Sequence, residues 1–127
     1  MADQTPLILV VDDEPELLSI VADFMLLFGH DVVTAGSGPE ALQLAEEKKI
    51  DVLVTDLVMP AMTGIKLIEA LRAKGHQFPA IVYSAYSPEL ETLKGWEDQL
   101  GVVAKIDKPF TEEELQAGID AALGKEF

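Results

Sequence analysis

An adjacent acidic pair, Asp12-Asp13, a separate Asp56, a Ser84 and a Lys108-Pro109 step are the residues of this chain best suited to chemistry. Three carboxylates drawn into one partly dry pocket cannot all stay ionised without a counter-charge. A hard divalent cation supplies one, and oxygen-only ligation with few protein groups and retained waters is what Mg²⁺ prefers. With an ammonium beside such a cation, a phosphoryl group could be stabilised there. A hydroxyl could donate to one of its oxygens, and a carboxylate could attack phosphorus as nucleophile. Each residue also has a plainer reading. Asp12 and Asp13 could favour a helix start before Pro15, Asp56 could sit in a turn, Ser84 could satisfy nearby backbone, and Lys108 could be one more solvated lysine. What favours chemistry is that all five belong to the ends of strand-like runs.

Those runs are short and rich in apolar and β-branched residues: Leu7 to Val11, Asp31 to Ala35, Asp51 to Thr55, Ala80 to Ser84 and Val102 to Ile106. Several are nearly continuous in apolar character, as suits strands buried on both faces. Helical periodicity fills the gaps, with Leu17, Val21, Phe24 and Phe28 forming the apolar stripe of the first helix. Pro15, Pro39 and Pro88 stand where first helical residues belong. Thr111-x-x-Glu114 reads as a capping box, and Gly29, Gly75 and Gly124 lie at helix ends. A helix from about Pro88 to Gln99 is interrupted by Gly95. Repeated strand–helix units imply right-handed crossovers and a parallel sheet covered on both faces. The expectation is one doubly wound (βα)5 α/β domain spanning residues 1–127. In such a sheet, ligands bind beyond the carboxyl ends of the strands. Asp12 and Asp13 follow the first run, Asp56 the third, Ser84 ends the fourth and Lys108 lies past the fifth.

Composition narrows the function classes. The chain has 127 residues and no cysteine, which excludes a disulfide framework, a thiolate zinc site and a cysteine nucleophile. Lys+Arg number 9 against Asp+Glu 23, a net charge of −14, so direct nucleic-acid or membrane-surface binding by this chain is disfavoured. No apolar run approaches the roughly 20 residues needed to span a bilayer. Met1 to Pro6 carries no basic segment of a secretory signal, so a cytoplasmic location is expected. His30 and His76 follow glycines and are read as loop residues without a partner carboxylate, and Met59 and Met62 as packing.

The combination of Asp12-Asp13, Val54-Thr55-Asp56-Leu57-Val58-Met59-Pro60 with Gly64, Val82-Tyr83-Ser84-Ala85 and Lys108-Pro109-Phe110 resembles the receiver domain of two-component response regulators. The resemblance covers essentially the whole chain. It implies a flavodoxin-like three-layer sandwich with strand order 2-1-3-4-5. It implies that Asp56 accepts a phosphoryl group from the phosphohistidine of a sensor histidine kinase or histidine phosphotransfer protein. Asp13 and Asp56 would ligate Mg²⁺ directly, Asp12 through water, and the backbone carbonyl of Val58 would be a further ligand, with Mn²⁺ able to substitute. Lys108 would pair with Asp56 and the phosphoryl oxygens, through a cis bond to Pro109. Ser84 would hydrogen-bond the phosphoryl group, shifting a two-state equilibrium read by an output protein or domain at the fourth helix, fifth strand and fifth helix. Such a module is a signalling switch, not a dedicated enzyme.

The chain departs from that pattern at certain positions. Three residues before the lysine, where the family usually has a switch aromatic, stands Lys105; either Tyr83 or Tyr86 substitutes, or hydroxyl movement is not coupled to a ring. Trp96 is uncommon and is read as packing beside Leu93 and Leu100. Val58 and Tyr86, two beyond the acceptor and two beyond the hydroxyl, offer no carboxylate or amide to orient a water, so slow self-dephosphorylation is expected. Two other readings stay open: a receiver-shaped module binding partners without phosphorylation, and a haloacid-dehalogenase-like phosphatase. The latter wants a carboxylate two residues after its nucleophile, which Asp56-Leu57-Val58 lacks. A flavin carrier would need a phosphate-cradling loop where Asp12 and Asp13 repel phosphate. The sequence ends within a few residues of its last helix, so any effector is expected on another chain or in a longer protein from which this receiver is taken.

Overall fold

The computed structural model describes residues 5–60, 62–84 and 99–124. Among them β1 (Leu7–Val11), α1 (Pro15–Leu27), β2 (Asp31–Ala35), α2 (Gly38–Glu47), β3 (Val52–Asp56), α3 (Gly64–Ala73), β4 (Ala80–Ser84), β5 (Val102–Asp107) and the last helix α4 (Glu112–Ala122) follow in chain order. All strand pairs are parallel, and the sheet runs β2-β1-β3-β4-β5. This is the expected flavodoxin-like α/β architecture. The helix expected from Pro88 lies outside the described residues, as do Trp96 and Tyr86; Gln99 and Leu100 at its expected end are helical. No helix among the described residues is long and apolar enough to cross a membrane.

Strand alternation sorts the core into two layers. Leu9, Val11, Leu53 and Val82 pack with Ala41, Leu67, Ile68 and Leu71 of α2 and α3. Ile8, Val10, Val52, Val54, Ile81 and Tyr83 pack on the other face with Val21, Met25, Leu115 and Ile119 of α1 and α4. Of the α1 stripe Val21 is core, while Leu17, Phe24 and Phe28 are partly buried and pack against it; Ile20, Leu26 and Leu27 on the same helix are exposed.

The helix starts follow local chemistry. The Thr111 side chain accepts from the Glu114 N–H while Glu114 accepts from the Thr111 N–H, completing the capping box. Ser37 and Thr63 cap α2 and α3 in the same sense. Gly29, Gly75 and Gly124 all have positive φ, as their helix-end positions require. The Lys108–Pro109 bond is cis.

Two strand limits differ from the sequence reading. Asp51 is not in the third strand; its carboxylate accepts from the Leu7 N–H at 2.8 Å, which fastens the strand's entrance. The strand instead runs through Asp56, which pairs in register with Tyr83. β5 likewise extends to Asp107, opposite Ser84. His76 also differs, because its Nε2 lies 3.0 Å from Glu46 Oε2 and so has a carboxylate partner. That hydrogen bond, and then nearby Lys74, hold the exposed Glu46 carboxyl below its ordinary value. Met59 is core, and Met62 packs against Gly38, as expected.

Candidate functional site

Period-2 geometry explains why the acids meet. Side chains alternate faces along a strand. One step beyond Val10 and Val54 on the α1 face, the alternation reaches Asp12 at the exit of β1 and Asp56 at the end of β3. The two strands are neighbours, with Val11 opposite Thr55. Tyr83, directly opposite Asp56 on β4, shares that face. The site therefore sits where the strand order reverses between β1 and β3, the switch point at which open α/β sheets bind ligands.

Carboxylate oxygens of Asp12, Asp13 and Asp56 all lie within 4.8 Å of one another. Asp12 is wholly buried and Asp56 nearly so, while Asp13 is exposed. The Glu14 N–H donates to Asp12 Oδ1 at 2.9 Å, and the Tyr83 hydroxyl donates to Asp12 Oδ2 at 2.6 Å. On Asp56, Oδ1 accepts from the Val58 N–H at 3.1 Å and Oδ2 from Lys108 Nζ at 3.0 Å. Lys108 Nζ also lies 3.7 Å from Glu14 Oε1 and 5.4 Å from the centre of the Tyr83 ring. Ser84 is buried at the end of β4, and its carbonyl accepts from the Lys108 N–H at 2.9 Å.

Burial pushes the Asp56 carboxyl above its ordinary value, and the charge of Asp12 adds to this. Hydrogen bonds from Lys108 and Val58, with the Lys108 charge, oppose but do not cancel it. Burial, then the hydrogen bond to Asp12 and that carboxylate's charge, push the Tyr83 phenol far up, so it remains a hydroxyl donor. One ammonium does not balance the three carboxylates, whose hard oxygen donors suit a hard divalent cation.

The structure thus brings together Asp12, Asp13, Asp56 and Lys108 as the sequence reading expected. It places Ser84 at the same sheet edge, and turns the Val58 N–H toward Asp56 while leaving its side chain exposed. Lys105 is exposed on β5, opposite Val82. Two participants were not anticipated as such. Glu14 is the third acid of the run Asp12-Asp13-Glu14, directly after the pair that the sequence singles out. Tyr83, a candidate switch ring by sequence, stands just before Ser84 in an alternating strand, which aims it at the acids' face.

Residues 8–120 match the family model described as the response regulator receiver domain. The transcriptional regulatory protein CpxR of Escherichia coli K12 is 40% identical over 116 residues, covering 91% of this chain and 48% of that protein. The alkaline phosphatase synthesis transcriptional regulatory protein PhoP of Bacillus subtilis is 36% identical over 116 residues, with the same coverage of 91% and 48%. The chain therefore spans about half the length of the curated relatives it matches. The solved chemotaxis protein CheY4 of Vibrio cholerae superposes with a TM-score of 0.83 at 29% identity, covering 94% of this chain and 99% of that one. An acidic pocket at the switch point of a 2-1-3-4-5 sheet and a family match over nearly the whole length agree: this chain belongs to the receiver domain family of two-component response regulators.

Proposed function

We propose that the chain is a phosphoacceptor switch, taking a phosphoryl group from a phosphohistidine onto Asp56 and changing its partner binding as a result. The observation that carries this reading is the pairing on Asp56 itself. A buried carboxylate is held at one oxygen by a backbone N–H and at the other by an ammonium, with two further carboxylates within 4.8 Å. Lys108 pairs with Asp56 and would follow the charge onto a phosphoryl oxygen. Asp56 acts as nucleophile, a P–N bond breaks, and the imidazole leaves. Asp13, Asp56 and the Val58 carbonyl would hold Mg²⁺ or Mn²⁺, with Asp12 through water. When bound, the cation supplies electrostatic stabilisation of the phosphoryl oxygens. Ser84, at the same edge, would donate to the phosphoryl group, and the face of β5 and α4 would carry the change to an output partner.

CpxR and PhoP are named as transcriptional regulators; by analogy, this receiver would control an output domain or protein in the cytoplasm. Its acidity argues against reading nucleic acid itself.

Incubation with acetyl phosphate or phosphoramidate and Mg²⁺ should add one phosphoryl mass, and Asp56→Asn should abolish the gain. Absence of any gain, or a gain that survives Asp56→Asn, refutes the assignment. Val58 offers no group to orient a water, so the acyl phosphate should persist for minutes or longer at room temperature. Decay within seconds, followed by mass spectrometry, contradicts that expectation.

A further inference from the structure

Tyr83 is wholly buried and touches both kinds of charge in the site. Its hydroxyl reaches past β3 to Asp12, a carboxylate on the strand two places away in the sheet. Adjacent strands lie about 4.8 Å apart, so a span of two strands needs a side chain of tyrosine's length. Its ring lies under the Lys108 ammonium at 5.4 Å and meets Phe110 edge-on at 5.5 Å. Phe110 follows Pro109, so the segment that delivers Lys108 rests against the same ring that Asp12 holds by its hydroxyl.

The Tyr83 side chain is thus held at its hydroxyl by Asp12 and packed along its ring by Lys108 and Phe110. Asp12 has no solvent contact, and its two oxygens accept from the Glu14 N–H and the Tyr83 hydroxyl. A carboxylate offers about four acceptor positions, so this clamp fixes the group while leaving sites for a cation's water. Phenylalanine would keep the ring under Lys108 but leave Asp12 Oδ2 without that donor.

We infer that Tyr83 is a positioning residue of the acceptor site: its hydroxyl fixes Asp12 for the divalent cation, and its ring seats the Lys108 ammonium against Asp56. This rests on the phosphoacceptor reading above. Outer hydrogen-bond partners of metal-binding groups typically change affinity by about 10–100-fold when removed.

The test compares the full chain with Tyr83→Phe and Tyr83→Leu. Mn²⁺ affinity is measured directly from the electron paramagnetic resonance of the free ion, and phosphorylation by phosphoramidate is followed at rising Mg²⁺. Urea unfolding checks each variant. Tyr83→Phe should weaken Mn²⁺ binding about tenfold, while its phosphorylation rate at saturating Mg²⁺ returns to within roughly twofold of wild type. Tyr83→Leu should lose affinity and also stay slow at saturating Mg²⁺. Tyr83→Phe binding Mn²⁺ as wild type does, even with lowered stability, overturns the role of the hydroxyl. Tyr83→Leu reaching the Tyr83→Phe rate at saturation overturns the role of the ring. Wild type failing to bind Mn²⁺ or to accept phosphate would instead bring down the acceptor reading and this inference together.

Discussion

Asp56 is harder to ionise in the folded protein than in the unfolded chain, and this has a direct effect on stability. A carboxyl raised above its ordinary value of 3.8 contributes stability that is fully present below that value and lost as pH rises through the higher folded value. At pH 7 without divalent cation, Asp56→Asn is therefore expected to raise the urea midpoint, and the gain should shrink as pH falls toward 4. A less stable Asn variant at pH 7 would show that the Lys108 ion pair outweighs desolvation. At the level of single residues, Asp12, Asp13, Asp56 and Lys108 were legible because strand ends can be read from apolar runs, and strand ends share an edge. The Tyr83–Asp12 bond was not. Alternation tells which face a side chain takes, but not how far it reaches across neighbouring strands.

Gly64 opens α3 and donates its N–H to the Leu57 carbonyl at 2.9 Å. A Cβ there would stand 2.5 Å from the Asp56 carbonyl oxygen and 2.9 Å from Leu57 Cα, and backbone gives way less readily than a side-chain tip. Gly64→Ala should cost roughly 1–3 kcal/mol in urea unfolding and should slow phosphorylation of Asp56 by displacing the loop after it. Unchanged stability would mean the loop relaxes freely. Helix starts were easy to anticipate, because Thr111 with Glu114 is a local pattern that completes its own hydrogen bonds. The limits of β3 were not, because Asp51 and Asp56 look alike in sequence. Only pairing decides that Asp51 fastens the entrance through Leu7 while Asp56 stays in register with Tyr83.

Across the whole molecule, the excess of 23 acidic over 9 basic side chains is a general property, of which the pocket of Asp12, Asp13 and Asp56 is the concentrated part. A cation that binds only the folded state should stabilise it by about 2.7 kcal/mol at a hundred times its dissociation constant. Urea unfolding with and without Mg²⁺ should show this gain in the wild type and lose most of it in Asp13→Asn, a change at an exposed position that disturbs no core packing. An equal gain in both would place the Mg²⁺ effect on the acidic surface at large. The architecture was readable from five apolar runs and their spacing, since parallel crossovers leave few topologies. The two bonds that close the site join residues far apart along the chain: Tyr83 to Asp12 across 71 positions and Lys108 to Asp56 across 52. Neither can form inside one strand–helix unit, so their loop-closure cost must be met by the assembled sheet. As the chain emerges from its N-terminus, the repelling acids come first and their ammonium arrives only with the last strand. The Lys108–Asp56 ion pair is thus a mark of completed folding, built into the order of synthesis.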